Sequence, residues 1–130
     1  MREIKFRAWD KDEYRMIHSG TEQNDYPFSW SILSEGIEVV EHDGTDWNTL
    51  RNIEIMQYTG LKDKNGTEIY EGDIVRHNEG RQSTIVFEQG AFQYHRYGGL
   101  APIRYNLKNS EQFAGEIVGN IYENPELLEA

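Results

Sequence analysis

The stretch Thr59–Arg76, reading TGLKDKNGTEIYEGDIVR, constrains the fold more than the rest of the chain together. Glycine and small polar residues alternate there with short β-favouring runs, which is the grammar of turn, strand, turn and strand. Asn65-Gly66 is the dipeptide that type I′ hairpin turns select, because both central residues need positive φ. Gly72-Asp73 marks a second turn, and the β-branched pair Ile74-Val75 opens a strand after it. The cassette predicts a small, turn-rich β domain and carries no chemistry of its own.

The flanking sequence repeats this grammar. Ile4, Phe6 and Ala8 alternate with Lys5, Arg7 and Trp9, predicting a strand with one wet face. Asp10–Glu13 is a polar turn, and Tyr14–Ile17 reads as the return strand. His18–Ser31 holds turn residues, with Phe28 and Trp30 as anchors of a loop. Glu38–Glu41 is a short strand closed by Asp43-Gly44, whereas Trp47–Asn52 fits a helical turn or a loop equally. Ile53–Tyr58 leads into the cassette. Thr84–Glu88 and Ala91–Tyr94 form a hairpin broken by Gly90, Gly98-Gly99 is a loop, and Ile117–Tyr122 is a last strand. Gly119 inside that strand signals a bulge or a close backbone approach. Asn124-Pro125-Glu126 has the cap, proline and acid of a helix start, so a short helix carrying Leu127 and Leu128 ends the chain. Regularly spaced short strands give a mainly β fold: a small, partly closed barrel or sandwich with SH3-like character, several hairpins and a short C-terminal helix.

Composition narrows the function classes. A chain of 130 residues fits one domain, 1–130, and is long enough to bury a core. Eight Tyr, five Phe and three Trp within a modest 37% apolar supply make that core aromatic-weighted. There is no cysteine, which removes disulfides and thiolate metal sites and fits a reducing cytoplasm. No apolar segment follows the charged N-terminus and no long apolar run exists, so neither a secretory signal nor a membrane span is expected. The formal net charge of −10 opposes contact with nucleic-acid phosphates and keeps a small protein soluble.

Four blocks in order closely resemble the YopX-like proteins of bacteriophages and prophages: Lys5–Asp10, Tyr58–Gly66, Ile69–Val75 and Gly119–Pro125. The resemblance implies a mainly β fold and a phage-encoded protein of a bacterial cytoplasm. It transfers no catalytic residue, and it favours binding to a partner over metabolism.

The residues themselves point the same way. His18, His42, His77 and His95 show no paired ligand spacing, so no metal or other cofactor is expected. His42-Asp43-Gly44-Thr45-Asp46 collects base, acid and hydroxyl as a hydrolase would, but also spells an ordinary turn. Asp63–Glu68 lacks the glycine and twelfth-position glutamate of a calcium loop. Trp9, Tyr58 and Tyr70 are either core residues or anchors for a protein partner. Tyr94, Arg96, Tyr97, Arg104 and Tyr105 interleave rings with cations, as single-strand nucleic-acid binders do. The expected function is therefore a non-enzymatic, phage-derived accessory protein that binds a protein partner or itself. The alternatives are single-stranded nucleic-acid binding, an acidic inhibitor of a host DNA-binding protein, and, more remotely, a hydrolase.

Overall fold

The computed structural model describes residues 4–19, 27–78, 80–96, 99–102 and 115–128. Among the described residues the protein is mostly β, with a single 3-10 turn near its C-terminus. Two compact units divide it: Lys5–Met56, and Gln57–Ala130 with Met1–Ile4.

The N-terminal unit holds β1 (Phe6–Asp10), β2 (Arg15–His18), β3 (Phe28–Leu33), β4 (Gly36–His42), β5 (Trp47–Thr49) and the start of β6 (Ile53–Lys62). Strand β1 lies between β2 and β6. Its expected wet face is absent: Arg7 and Trp9 are buried along with Ala8. After the polar turn, Tyr14 takes a positive φ of 54° and lays its ring edge-on against Trp9 at 5.7 Å. A separate antiparallel meander, β3-β4-β5, replaces the anticipated loop around Phe28 and Trp30 and the undecided segment at Trp47. Phe28-Ser29-Trp30-Ser31-Ile32 is itself an alternating strand pattern, and the loop reading carried the turn residues before Phe28 too far along the chain.

In the C-terminal unit the end of β6 pairs with β7 (Glu68–Tyr70). Beside them stands a five-stranded antiparallel sheet, in the order β11 (Gly99–Pro102), β10 (Ala91–Arg96), β9 (Gln82–Glu88), β8 (Asp73–Arg76), β12 (Glu116–Asn120). Gly99 thus opens a strand where a loop was expected. Leu61, Ile69, Val75, Ile85 and Tyr94 form the core, with Ile117 packed against it. Burying side chains of this size is worth about 1.5–3 kcal/mol each, which outweighs anything propensity alone supplies.

Turn chemistry differs from expectation in an instructive way. Asn65 does not adopt positive φ; only Gly66 does, at 86°. Gly66 N–H donates to the Asp63 carbonyl at 2.9 Å, closing a turn over Asp63–Gly66. The cause is the Asp63 side chain. Its Oδ1 accepts the amides of Asn65 and Thr67, each at 2.9 Å, and so holds a wider loop than a two-residue turn. Its Oδ2 accepts the amide of Ile117, 54 residues away, at 2.9 Å. The dipeptide with two positive φ values is Gln89-Gly90, at 55° and 79°, which joins β9 to β10. Strand β6 runs on through Gly60, with φ of 89° and an irregular register between Tyr58 and Lys62.

Gly72 has φ of 84°, the region only glycine enters freely. Its N–H donates to the Ile85 carbonyl at 2.8 Å, and its carbonyl accepts Ile121 N–H at 2.9 Å. The Tyr70 amide donates to Asp73 Oδ2 at 2.8 Å across the same turn.

The C-terminal motif is both bulge and close approach. The register between β12 and β8 shifts between Ile117 and Gly119. Asn120 Oδ1 accepts the amides of Tyr122 and Glu123, while Asn124 Oδ1 accepts the Asn120 amide at 3.2 Å. Asn124 therefore reaches backwards instead of capping the helix ahead of it, and the helix is the single 3-10 turn Pro125–Leu128. A Cβ on Gly119 would lie 2.5 Å from Asn124 Oδ1 and 2.8 Å from its Cγ. Gly119→Ala should cost about 1–3 kcal/mol. Chemical denaturation checks this, and an unchanged midpoint would contradict the packing described.

Candidate interaction surface

Four of the anticipated binding residues are withdrawn from solvent. Trp9 is 5% exposed, and Tyr58, Tyr70 and Tyr94 are 4% exposed each. Tyr58 faces Tyr70 across β6 and β7 with ring centroids 5.5 Å apart, and Tyr94 meets His77 edge-on at 4.8 Å. Arg96 ends β10. Tyr97, Arg104 and Tyr105 lie outside the described residues.

The titratable clusters serve local structure. His77 Nε2 lies 2.8 Å from Ser83 Oγ. Among the described residues no group of three or more His, Asp or Glu side chains is placed to hold a metal ion. His42–Asp46 is an exposed turn. Asp43 Oδ1 accepts the amides of Thr45 and Asp46, both at 2.8 Å, and Oδ2 accepts the Asn48 side-chain amide at 2.9 Å. These bonds, that from Asp46 foremost, pull the Asp43 carboxyl down from 3.8 to about 2. Gly44 N–H donates to His42 Nδ1, turning that nitrogen toward the backbone. Base and acid are thus each occupied in shaping the turn. Among the described residues, no helix is long and apolar enough to cross a membrane.

What the N-terminal unit does offer is an open sheet. Arg15 fixes it in place. The guanidinium donates from Nε to Asp10 Oδ2 at 2.9 Å, from one terminal nitrogen to Glu41 Oε1 at 2.8 Å and from the other to Oε2 at 3.0 Å. It also lies over the Phe28 ring, 5.0 Å from the centroid. The forked bond to Glu41 raises the Arg15 pKa further above its already high range. Sheet β3-β4-β5 is thereby tied to the β1–β2 hairpin.

Among the described residues no strand pairs with the outer edge of β3 or of β5. Edges of natural sheets are usually blunted by charge, proline or a bulge, and β3, FSWSIL, has none of these. Of the large apolar side chains exposed among the described residues, Ile32 at 79%, Leu33 at 45% and Trp47 at 50% all stand on this sheet. They do not share one face. The register places Ile32 with Trp30 and Val39, and Leu33 on the side of His42 and Trp47. An open groove of about 390 Å³ adjoins the β3–β4 turn, walled by Leu33, Ile37, Leu50, Ile53 and Ile55, with Glu35, Glu38 and Arg51 adding charge of both signs.

Sequence reasoning missed Ile32, Leu33 and Trp47. The available signal was an uncharged run with two adjacent aliphatics in an otherwise highly charged chain. The contrast with Trp9 is instructive, since both tryptophans look alike in sequence and only pairing separates them: β1 is an inner strand and β5 an edge.

Residues 5–129 match the family described as YopX protein. The chain is also similar to a solved structure, the crystal structure of protein EF1440 from Enterococcus faecalis. That likeness has 29% sequence identity, a TM-score of 0.62, and covers 98% of this chain and 99% of the other. No curated protein matches at a significant level.

Proposed function

The chain belongs to the YopX family, and on that premise we propose that it is a non-catalytic, phage-derived accessory protein that works by binding a protein partner or itself. The bacterial cytoplasm is its proposed place of action. One observation carries the reading: a charge-free edge strand, β3, in a sheet that exposes large apolar groups on both faces. Apolar exposure on both faces suits an added strand, because successive side chains of such a strand alternate between the two. Main-chain bonds along the edge then supply affinity, and flanking side chains supply selectivity. The non-catalytic half of the reading is supported by the polar clusters, whose groups are engaged in turns.

Size-exclusion chromatography with light scattering, followed by capture from a bacterial lysate on the immobilised chain, tests the proposal. The native chain should either self-associate or retain a specific protein. Ile32→Ala should keep the fold, since the side chain is 79% exposed, yet weaken that association by about 10-fold or more. A strict monomer that retains nothing would refute the reading.

A further inference from the structure

We propose that Asn65-Gly66 is a deamidation site that the Asp63 carboxylate holds closed, and that conversion there releases β12. This is the single Asn-Gly pair of the sequence, and both residues are exposed in the β6–β7 loop. Asn-Gly offers the reaction least steric resistance, because the attacking nitrogen belongs to a residue without a side chain. Space is open as well: a Cβ built on Gly66 would meet nothing within 4 Å. The chemistry needs only water. The Gly66 nitrogen attacks Asn65 Cγ and gives up its proton, the bond from Cγ to the side-chain nitrogen breaks, and ammonia leaves. Water then opens the cyclic imide at either carbonyl. One opening leaves aspartate, and the other leaves isoaspartate, whose main chain is one methylene longer.

The folded loop opposes the first step. Gly66 N–H donates to the Asp63 carbonyl at 2.9 Å, so the nucleophile is occupied. That bond closes a turn in which Asn65 is the third residue and lacks a positive φ, as in type I, where ψ is about 0°. Such a ψ rotates the Gly66 nitrogen away from Asn65 Cβ, whereas the imide needs the two eclipsed. Asp63 Oδ1 locks the turn by accepting the amides of Asn65 and Thr67, each at 2.9 Å. Attack therefore waits for the loop to open locally, and the population of the opened loop sets the rate. Conversion runs one way. Either product puts a second carboxylate beside Asp63, and isoaspartate also lengthens the chain between the two amides bound to Oδ1. The same side chain holds the Ile117 amide through Oδ2, so the link from loop to β12 loosens and stays loose.

Incubation of the intact chain in mildly alkaline buffer, with mass-spectrometric peptide mapping over time, tests the proposal. Conversion at Asn65 should be slower in the native chain than in the urea-unfolded chain on the order of 100-fold. Asp63→Ala removes both loop bonds and should speed native conversion on the order of 30-fold. Asp63→Asn keeps an oxygen but not its charge, and should speed it about 3-fold. This milder variant decides the matter if the alanine form does not fold. Arg15→Lys, which loosens the other unit, is the control and should convert as slowly as the native chain. The converted fraction, separated by its added negative charge, should exchange the Ile117 amide faster than the unconverted chain. Native conversion as fast as unfolded, Asp63 variants no faster than Arg15→Lys, or unchanged Ile117 exchange in the converted fraction overturns the proposal.

Discussion

Replacing Asp63 by alanine should destabilise the protein by about 3–5 kcal/mol, the largest effect expected of any single change outside the apolar core. The side chain is 1% exposed. It accepts three backbone amides, from Asn65, Thr67 and Ile117. Alanine leaves all three donors without that acceptor in a site with little access to water. Two consequences follow in different places: the β6–β7 loop loses its frame, and β12 loses its tie to that loop. Lys64 N–H, donating to the Gly115 carbonyl at 2.9 Å, is the remaining main-chain link there. Asp63→Asn separates the contributions. Its amide oxygen still serves the loop, while its NH2 meets the Ile117 N–H donor to donor, so about half the loss is expected. Urea denaturation gives both values. Equal stability of native and alanine forms would show that the three bonds are not what holds this corner.

Arg15→Ala should cost about 2–3 kcal/mol, again through what is left behind. Asp10, 2% exposed, loses its cation, and Glu41 loses a forked partner. Asp10 keeps weaker support, since its Oδ1 still accepts the amides of Asp12 at 3.1 Å and Glu13 at 3.4 Å. Arg15→Lys keeps the charge but not the planar fork that meets Glu41 on both oxygens, so about half of the stability should return. The tie also joins the β1–β2 hairpin to the β3-β4-β5 sheet, so its loss should free that sheet locally. Hydrogen exchange should quicken at β4 and β5 more than at β8 and β9. A uniform change across both units would contradict that assignment.

The sequence made some elements plain and hid others for identifiable reasons. Ile74-Val75 and Thr84–Glu88 announce strands because β-branched residues stand in unbroken runs, and both are strands. Gly119 announced a bulge because a glycine inside a strand has few other uses, and the Asn124 side chain occupies the space a Cβ would need. Asn65-Gly66 misled because the neighbouring Asp63 carboxylate, accepting the amides of Asn65 and Thr67, overrode the two-residue turn preference. Strand β11 was hidden by its own glycine and proline, Gly99 and Pro102, and its place at the sheet edge tolerates both. The interaction surface was least visible. Aromatic residues in recognisable blocks drew attention, yet Tyr58, Tyr70 and Tyr94 are core residues. Exposure at Ile32 and Trp47 depends on which strands lack neighbours, and pairing is a non-local property that no short window contains.

Residue-resolved amide exchange of the intact chain, dilute, concentrated and with the protein it retains from lysate, tests the central claim most directly. Recognition at the β3 edge predicts that Phe28, Trp30 and Ile32 gain protection with concentration or with that protein, while Ser29 and Ser31, whose amides face β4, change little. Protection that appears only in the C-terminal unit, or an exchange pattern identical in all three conditions, would contradict it.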